Sequence, residues 1–277
     1  MKTNRKIVVL GANGKTGRKV AEILESRGED VVRGSRQASP PFDWHQPEAW
    51  SKVLRGAERM YISYHPDLAV PGALEAIEKL VEVARAEGLQ KLVLLSGKGE
   101  KEAELCEQVI INSGIDYTIV RASWFNQNFS ESFFLPAILS GDVALPMAQA
   151  KVPYVDTDDI AAVVAKVLME AEHNDQIYEL TGPRLLTFQQ VMEEIAVASG
   201  RSISFTPISL PAYISMLEDL RVEKDFIWLI QYLFTEVLLE PKNAMLSADI
   251  RKVLGRSPKD FRQFAKEQAA LGTWTPQ

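Results

Sequence analysis

The sequence predicts an α/β fold: a doubly wound parallel sheet with helices on both faces, then a small, mainly helical C-terminal lobe. Three observations predict it. Short, nearly continuous apolar runs rich in Val, Ile, Leu and Tyr recur through the first half, as strands buried on both faces do. Segments with apolar residues at helical spacing lie between most of them. A glycine follows each of these segments, where a left-handed C-cap needs one.

In chain order, strands are expected at 6–10, 30–33, 59–63, 91–96 and 117–121. The first helix, 15–27, puts Val20, Ile23 and Leu24 on one face and stops at Gly28. The second, 73–87, carries Leu74, Ile77, Leu80, Val81 and Ala84 and stops at Gly88. The third, 100–113, carries Leu105, Val109 and Ile110 and stops at Gly114. Strand and helix in this alternation make a parallel sheet. A short strand at 152–155 precedes a helix over 157–170, with Thr157 as N-cap and Asp158 and Asp159 in its first turn. A strand at 176–181 follows. Thr187 and Gln190 form a capping-box pattern opening a helix to about Ser199, before Gly200. Beyond Pro207 the chain reads as helical, with Ser257, Pro258 and Asp260 as an N-terminal signal for the last helix. The division expected is 1–182 for the sheet domain and 183–277 for the lobe, the lobe packed on the domain and the substrate in the cleft between them. Repeats and low-complexity stretches are absent.

Composition narrows the function classes. With 31 Lys+Arg against 37 Asp+Glu in 277 residues, the net charge of −6 argues against a nucleic-acid binder. The one cysteine, Cys106, excludes an internal disulfide, and its place beside Leu105 on a helix suits the core. His45, His65 and His173 lack metal-ligand spacing, so no metal is expected. Arg5 and Lys6 precede only four apolar residues, short of the roughly 7–15 of a signal peptide. The most apolar stretches fall short of the ~20 residues of a membrane span. The expectation is a cytoplasmic protein, monomer or homodimer, acting on a small molecule without nucleic acid or membrane.

The strongest chemical signal is GANGKTG at 11–17, directly after the first strand and opening the first helix. The first glycine permits a tight turn, the second lets backbone approach a pyrophosphate, and the third lets helix pack on strand. Free N–H groups and the positive helix end then face the phosphates. The loop therefore nominates Gly11, Asn13, Gly14, Lys15, Thr16 and Gly17. A phosphate loop of an NTPase needs a further glycine at position 9, which holds Val9. The second strand ends Arg33, Gly34, Ser35, Arg36, without the carboxylate that an NAD enzyme places there. Ser35 and the Arg36 guanidinium suit a 2′-phosphate, so NADP(H) is the expected cofactor; the plainer reading of Arg36 is a solvated charge.

These residues resemble the NmrA-like branch of the atypical short-chain dehydrogenase/reductase superfamily. The resemblance rests on the glycine loop, GSR at 34–36, SGIDYTIVRASWFNQNF at 113–129, YVDTDDIA at 154–161 and YELTGPRLLTF at 178–188. The tail, with LGRSPKDF at 254–261 and TW at 273–274, is similar to bacterial members, and GSRQASPPFDW at 34–44 to ergot-alkaloid-type reductases. Quinone reductases and isoflavone reductase-like enzymes are other relatives. The resemblance implies a Rossmann-type NADP(H) domain. It implies cofactor contacts at Ser63, Tyr64 and His65, at Ser96, and at Trp124 and Phe125, with Asn126 near the substrate.

The chain departs from that superfamily's usual catalytic pattern. No tyrosine is followed four residues later by lysine; the nearest approach is Tyr117 with Arg121, within a strand. Two readings remain open. The protein reduces a small aromatic or polycyclic substrate with little demand for a proton, such as an iminium or a quinone. Alternatively it binds NADP(H) without turnover, as a redox-sensing regulator. Ser96 is a weak catalytic candidate, more simply read as a helix or turn cap; Tyr64 and His65, at a strand end before Pro66, read equally as proton donors or as plain loop residues. Lys98 and Lys101 read as phosphate or substrate contacts or, more simply, as surface charges. Phe226, Trp228, Tyr232 and Phe234 read as core or as a contact surface. A serine hydrolase is excluded, because the glycines that G-x-S-x-G places two residues to either side of Ser96 are Leu94 and Lys98 here.

Overall fold

The computed structural model describes residues 6–276; Arg5 and the first and last residues of the expected domains lie outside the described residues. In chain order the elements are β1 (Lys6–Leu10), α1 (Gly17–Ser26), β2 (Asp30–Gly34), α2 (Trp50–Leu54), β3 (Arg59–Ile62), α3 (Ala73–Ala86), β4 (Lys91–Gly97), α4 (Lys101–Ile111) and β5 (Asp116–Ala122). Then come α5 (Leu135–Ser140), β6 (Asp142–Leu145), α6 (Thr157–Met169), β7 (Gln176–Leu180), α7 (Phe188–Ser199) and β8 (Ser204–Pro207). The chain closes with α8 (Leu210–Asp219), α9 (Lys224–Tyr232), α10 (Asp249–Leu254) and α11 (Phe261–Ala270).

Two compact units result. The first holds the chain to Ala122 together with Thr157–Glu179; the second holds Ser123–Asp156 and the chain from Leu180 onward. A single cut at 182/183 therefore does not describe the division. The segment after β5 leaves the first unit and contributes to the second core, and α6 then returns.

The first unit is built on a six-stranded sheet of order β2-β1-β3-β4-β5-β7. β1 pairs in parallel with both β2 and β3, and β3–β4 and β4–β5 are parallel as well. This is the doubly wound arrangement expected, and its order reverses between β1 and β3. Alternation along the strands divides the side chains between two faces. Val8, Leu10, Met60, Ile62, Leu92 and Leu94 join one buried cluster with Ile77 and Leu80 of α3 and Cys106 and Ile110 of α4. On the other face α1 and α6 lie together, where Lys19 donates to the Thr157 hydroxyl at 2.8 Å and pairs with Asp158. The expected helix stops hold: Gly28, Gly88 and Gly114 all have positive φ. The short helix α2 was not expected. Trp50 anchors it, stacked on Phe42 at 5.4 Å with Trp44 edge-on at 5.6 Å.

The second unit packs α7 and α11 around an aromatic core of Phe129, Phe134, Tyr154, Phe188, Phe261, Phe264 and Trp274. The capping box of α7 is complete: Gln190 N–H donates to the Thr187 hydroxyl and Thr187 N–H to the Gln190 amide oxygen. Two expectations need correction. Residues 152–155 form no strand; Val152 and Val155 make single bridges, to Leu186 and Phe125. The strands of this unit are instead β6 and β8, parallel partners of four residues each, too short for a periodic signal and paired across a long stretch of chain. The last helix starts at Phe261 with Asp260 as its N-cap, accepting from Arg262 N–H at 2.9 Å; Ser257 and Pro258 lie before it. Asp260 is preferred there because Arg184 grips the same carboxylate at 2.6 and 2.8 Å.

Candidate cofactor and proton-transfer site

The glycine loop leaves β1 at the point where strand order reverses, the position at which open α/β sheets bind ligands. Gly11 has φ +66°, which only glycine adopts without strain, and a β-carbon there would stand 3.2 Å from the Ser63 side chain. Gly14 N–H closes the turn on the Gly11 carbonyl at 2.8 Å. Gly17, the first residue of α1, packs so closely that a β-carbon would lie 2.7 Å from the Gly11 carbonyl carbon and run into its oxygen. Thr16 shares a hydrogen bond of 2.9 Å with the buried Tyr61 hydroxyl, which also bonds to Ser63. The turn, the helix start and the end of β3 are thereby tied into one cradle. Lys15 is half-buried beside it, and Asn13 is exposed and donates to Gln37 at 3.0 Å.

Gly34 ends β2 and accepts from Ala12 N–H at 3.3 Å, bringing Ser35 and Arg36 beside the same loop. Arg36 is exposed and makes no ion pair among the described residues. Arg33, by contrast, points away and is bound through two nitrogens by Glu25 at 2.7 and 2.8 Å.

Ser63 follows β3 directly. Tyr64 lies half-buried against Trp44, ring centroids 4.6 Å apart, and burial raises its hydroxyl pKa. His65 is exposed. Ser96 is buried near the end of β4, and its hydroxyl donates to Glu107 on α4 at 2.6 Å. Glu107 is itself fully buried and gripped by Arg121 of β5 through two nitrogens, at 2.6 and 2.9 Å. Ser96 and Arg121 thus belong to one knot across β4, β5 and α4. Lys98 is buried and pairs with Glu179 at 3.2 Å, and Lys101 is exposed.

Two residues here were missed by sequence reasoning. Asp67 lies in the loop after β3 and Glu100 in the loop after β4, and their carboxyl groups are hydrogen-bonded to each other. Glu100 is buried, its carboxyl folded over Gly97 where a β-carbon would collide with it. Burial, then the charge and hydrogen bond of Asp67, push the Glu100 pKa well up; burial also raises Asp67. No motif joins the two in sequence, so only the fold reveals them.

Trp124, Phe125 and Asn126 belong to the second unit. Trp124 packs edge-on against Phe234 at 5.6 Å and Phe188 at 6.0 Å. Phe125 bridges Val155 through its backbone. Asn126 is fully buried; it donates to Asp156 at 3.4 Å, and its amide oxygen has no hydrogen-bond partner. Cys106 is buried core, its thiol pushed up to about 12. His173 has carboxylate neighbours at its ring: Glu170 and Glu172 each approach it at 3.6 Å, and Lys166 pairs with Glu170.

The residues of the first unit fit a dinucleotide. Gly14 is exposed in the turn before α1, where a β-carbon would meet the Gly11 carbonyl oxygen alone, so backbone there is open to a pyrophosphate, and the exposed Arg36 guanidinium lies beside the same loop. Among the described residues, no helix is long and apolar enough to cross a membrane.

Comparison with known proteins agrees with that geometry. A family described as NAD(P)H-binding matches residues 11–171. Prestalk A differentiation protein A of Dictyostelium discoideum is 28% identical, over 96% of this chain and 93% of its own. Festuclavine dehydrogenase of Aspergillus fumigatus is 28% identical, over 95% and 98%. An NADPH-dependent quinone oxidoreductase from Escherichia coli, solved with NADPH, shares the fold with a TM-score of 0.75, 21% identity, and coverage of 94% and 99%.

Proposed function

The chain belongs to the NAD(P)H-binding family, and from that premise we propose that it is an NADPH-dependent reductase of small aromatic or polycyclic electrophiles: quinones, imines or iminium ions, and carbonyls. That it is an NAD(P)H-dependent oxidoreductase follows from its family and from relatives named as dehydrogenases. The observation that carries the finer reading is Arg36, exposed and without an ion pair beside the glycine loop, where an enzyme selective for NAD holds a carboxylate. Bound NADPH supplies the hydride. Residues 11–17 hold the pyrophosphate through backbone N–H groups and the positive end of α1. Ser35 and Arg36 hold the 2′-phosphate by charge-assisted hydrogen bonds. Ser63, Tyr64, His65 and Ser96 line or brace the adjoining strand ends.

The quinone and clavine-type readings draw support from the names of relatives. The test is consumption of NADPH by the purified protein with a panel of quinones, cyclic iminium salts and aromatic aldehydes. Turnover of at least one class is expected. Tight NADP+ binding with no turnover across the panel supports the regulator instead.

A further inference from the structure

We propose that Asp67 and Glu100 form the proton store of the reduction, with Glu100 holding the proton and Asp67 passing it on; this rests on the reductase reading above. An aldehyde or ketone that accepts a hydride is left with an alkoxide oxygen and needs a proton. The side chains one would first consider are engaged. The Tyr61 hydroxyl is enclosed between Thr16 and Ser63, and the Ser96 hydroxyl donates to Glu107. Tyr154 is sealed in the aromatic core of the second unit. Tyr64 is half-buried, its ring packed against Trp44 at 4.6 Å between centroids.

The carboxyl pair is placed for the task. β3 and β4 are parallel neighbours in register, Ile62 opposite Leu94, so the loops bearing Asp67 and Glu100 leave the same end of the sheet as the glycine loop. A hydrogen bond between two carboxyl groups needs a proton on one of them. Asp67 is oriented as an acceptor by Ala69 N–H at 2.8 Å, and it retains some exposure. Glu100 is the buried member, with one oxygen that has no hydrogen-bond partner, so the proton resides there. The groups acting on the pair favour retention of the proton. Glu102 and Glu107 of α4 act on Glu100 as like charges, alongside Asp67 itself. Cys106 is a protonated thiol, and Glu75 of α3 acts on both it and Tyr64. Two like carboxyls so close cannot both ionise at neutral pH without large cost.

The substrate gains a hydride, with its electron pair, from the reduced nicotinamide, which is oxidised. The Glu100 O–H bond breaks and its proton moves along the hydrogen bond to Asp67. That new Asp67 O–H bond then breaks, its electrons stay on the carboxylate, and an O–H bond forms on the reduced substrate. Water returns one proton to Glu100 and leaves as hydroxide. An iminium ion becomes a neutral amine on gaining a hydride and needs no proton. The two substrate classes therefore separate the proton store from every other part of the site.

The experiment uses the full chain and its Glu100→Gln and Asp67→Asn variants, with benzaldehyde and a cyclic iminium salt as probes. Either variant is expected to lower kcat on the aldehyde by about tenfold to 100-fold, to leave the iminium rate within about twofold, and to leave NADPH affinity unchanged. The fall of the wild-type aldehyde rate with rising pH should vanish in Glu100→Gln. Without cofactor, the infrared spectrum at neutral pH should show a protonated carboxyl that Glu100→Gln removes. Equal slowing on both probes, or a wild-type spectrum lacking that carboxyl, overturns the pair while sparing the reductase reading. A wild type that turns over neither probe, with the carboxyl signal present, overturns the reductase reading and the proposal with it.

Discussion

Single residues here are fixed by what surrounds them more than by what they are. Ser96 ends a strand where a catalytic hydroxyl is expected, yet it spends its proton on Glu107, which Arg121 holds from the other side. Removing the centre of that knot leaves the Ser96 hydroxyl buried without its partner, and leaves the partly exposed Arg121 with the more distant Glu104 at 3.9 Å. Glu107→Ala is accordingly expected to destabilise the protein by about 2–3 kcal/mol, and chemical denaturation would measure it. Ser96→Ala, which leaves the Arg121–Glu107 pair intact, should cost no more than about 1–2 kcal/mol. If the two variants cost the same, the knot is not what holds α4 to β4 and β5.

At the scale of elements, the glycine loop and its flanking strand and helix act as one part. Gly17→Ala would place a methyl against the Gly11 carbonyl. Overpacking of this kind costs roughly 1–3 kcal/mol, and the forced shift of α1 should also weaken NADPH binding at least about tenfold; a melting curve and a binding titration check both. The β1–α1–β2 segment was legible in the sequence because its signals are local: a continuous apolar strand, three spaced glycines, and a helix stop at Gly28. The partners of Thr187 and Gln190 were legible for the same reason. β6 and β8 were not, since each is four residues long and finds its partner far along the chain. Arg121 was read beside Tyr117, its neighbour in sequence, whereas the fold gives it to Glu107. Asp67 and Glu100 carry no local mark at all. Each reads as an ordinary loop carboxylate until two parallel strands bring their loops to one sheet end.

For the whole molecule, charge sets opposite pH responses in the two units. The Glu100 pKa is raised by folding, so its contribution is present at low pH and lost as pH rises through the folded value. Asp260 is the reverse case. The hydrogen bond from Arg184 lowers its pKa, so its contribution is present above the usual carboxylate range and lost as pH falls through the folded value. Relative to wild type, Glu100→Gln should therefore gain stability toward alkaline pH, and Asp260→Asn should lose least toward acid; melting temperatures across a pH series read both. The first unit carries the glycine loop, Arg36 and the two loop carboxyls, and the second is built on an aromatic core. The measurement that bears most directly on the NADPH preference assigned to Arg36 is the affinity of the purified protein for NADPH and NADH, each also titrated against Arg36→Ala. NADPH is expected to bind tighter by at least about tenfold, a preference lost in the variant while NADH binding stays unchanged. Equal affinity for both cofactors in the wild type, or a preference that survives removal of Arg36, would contradict it.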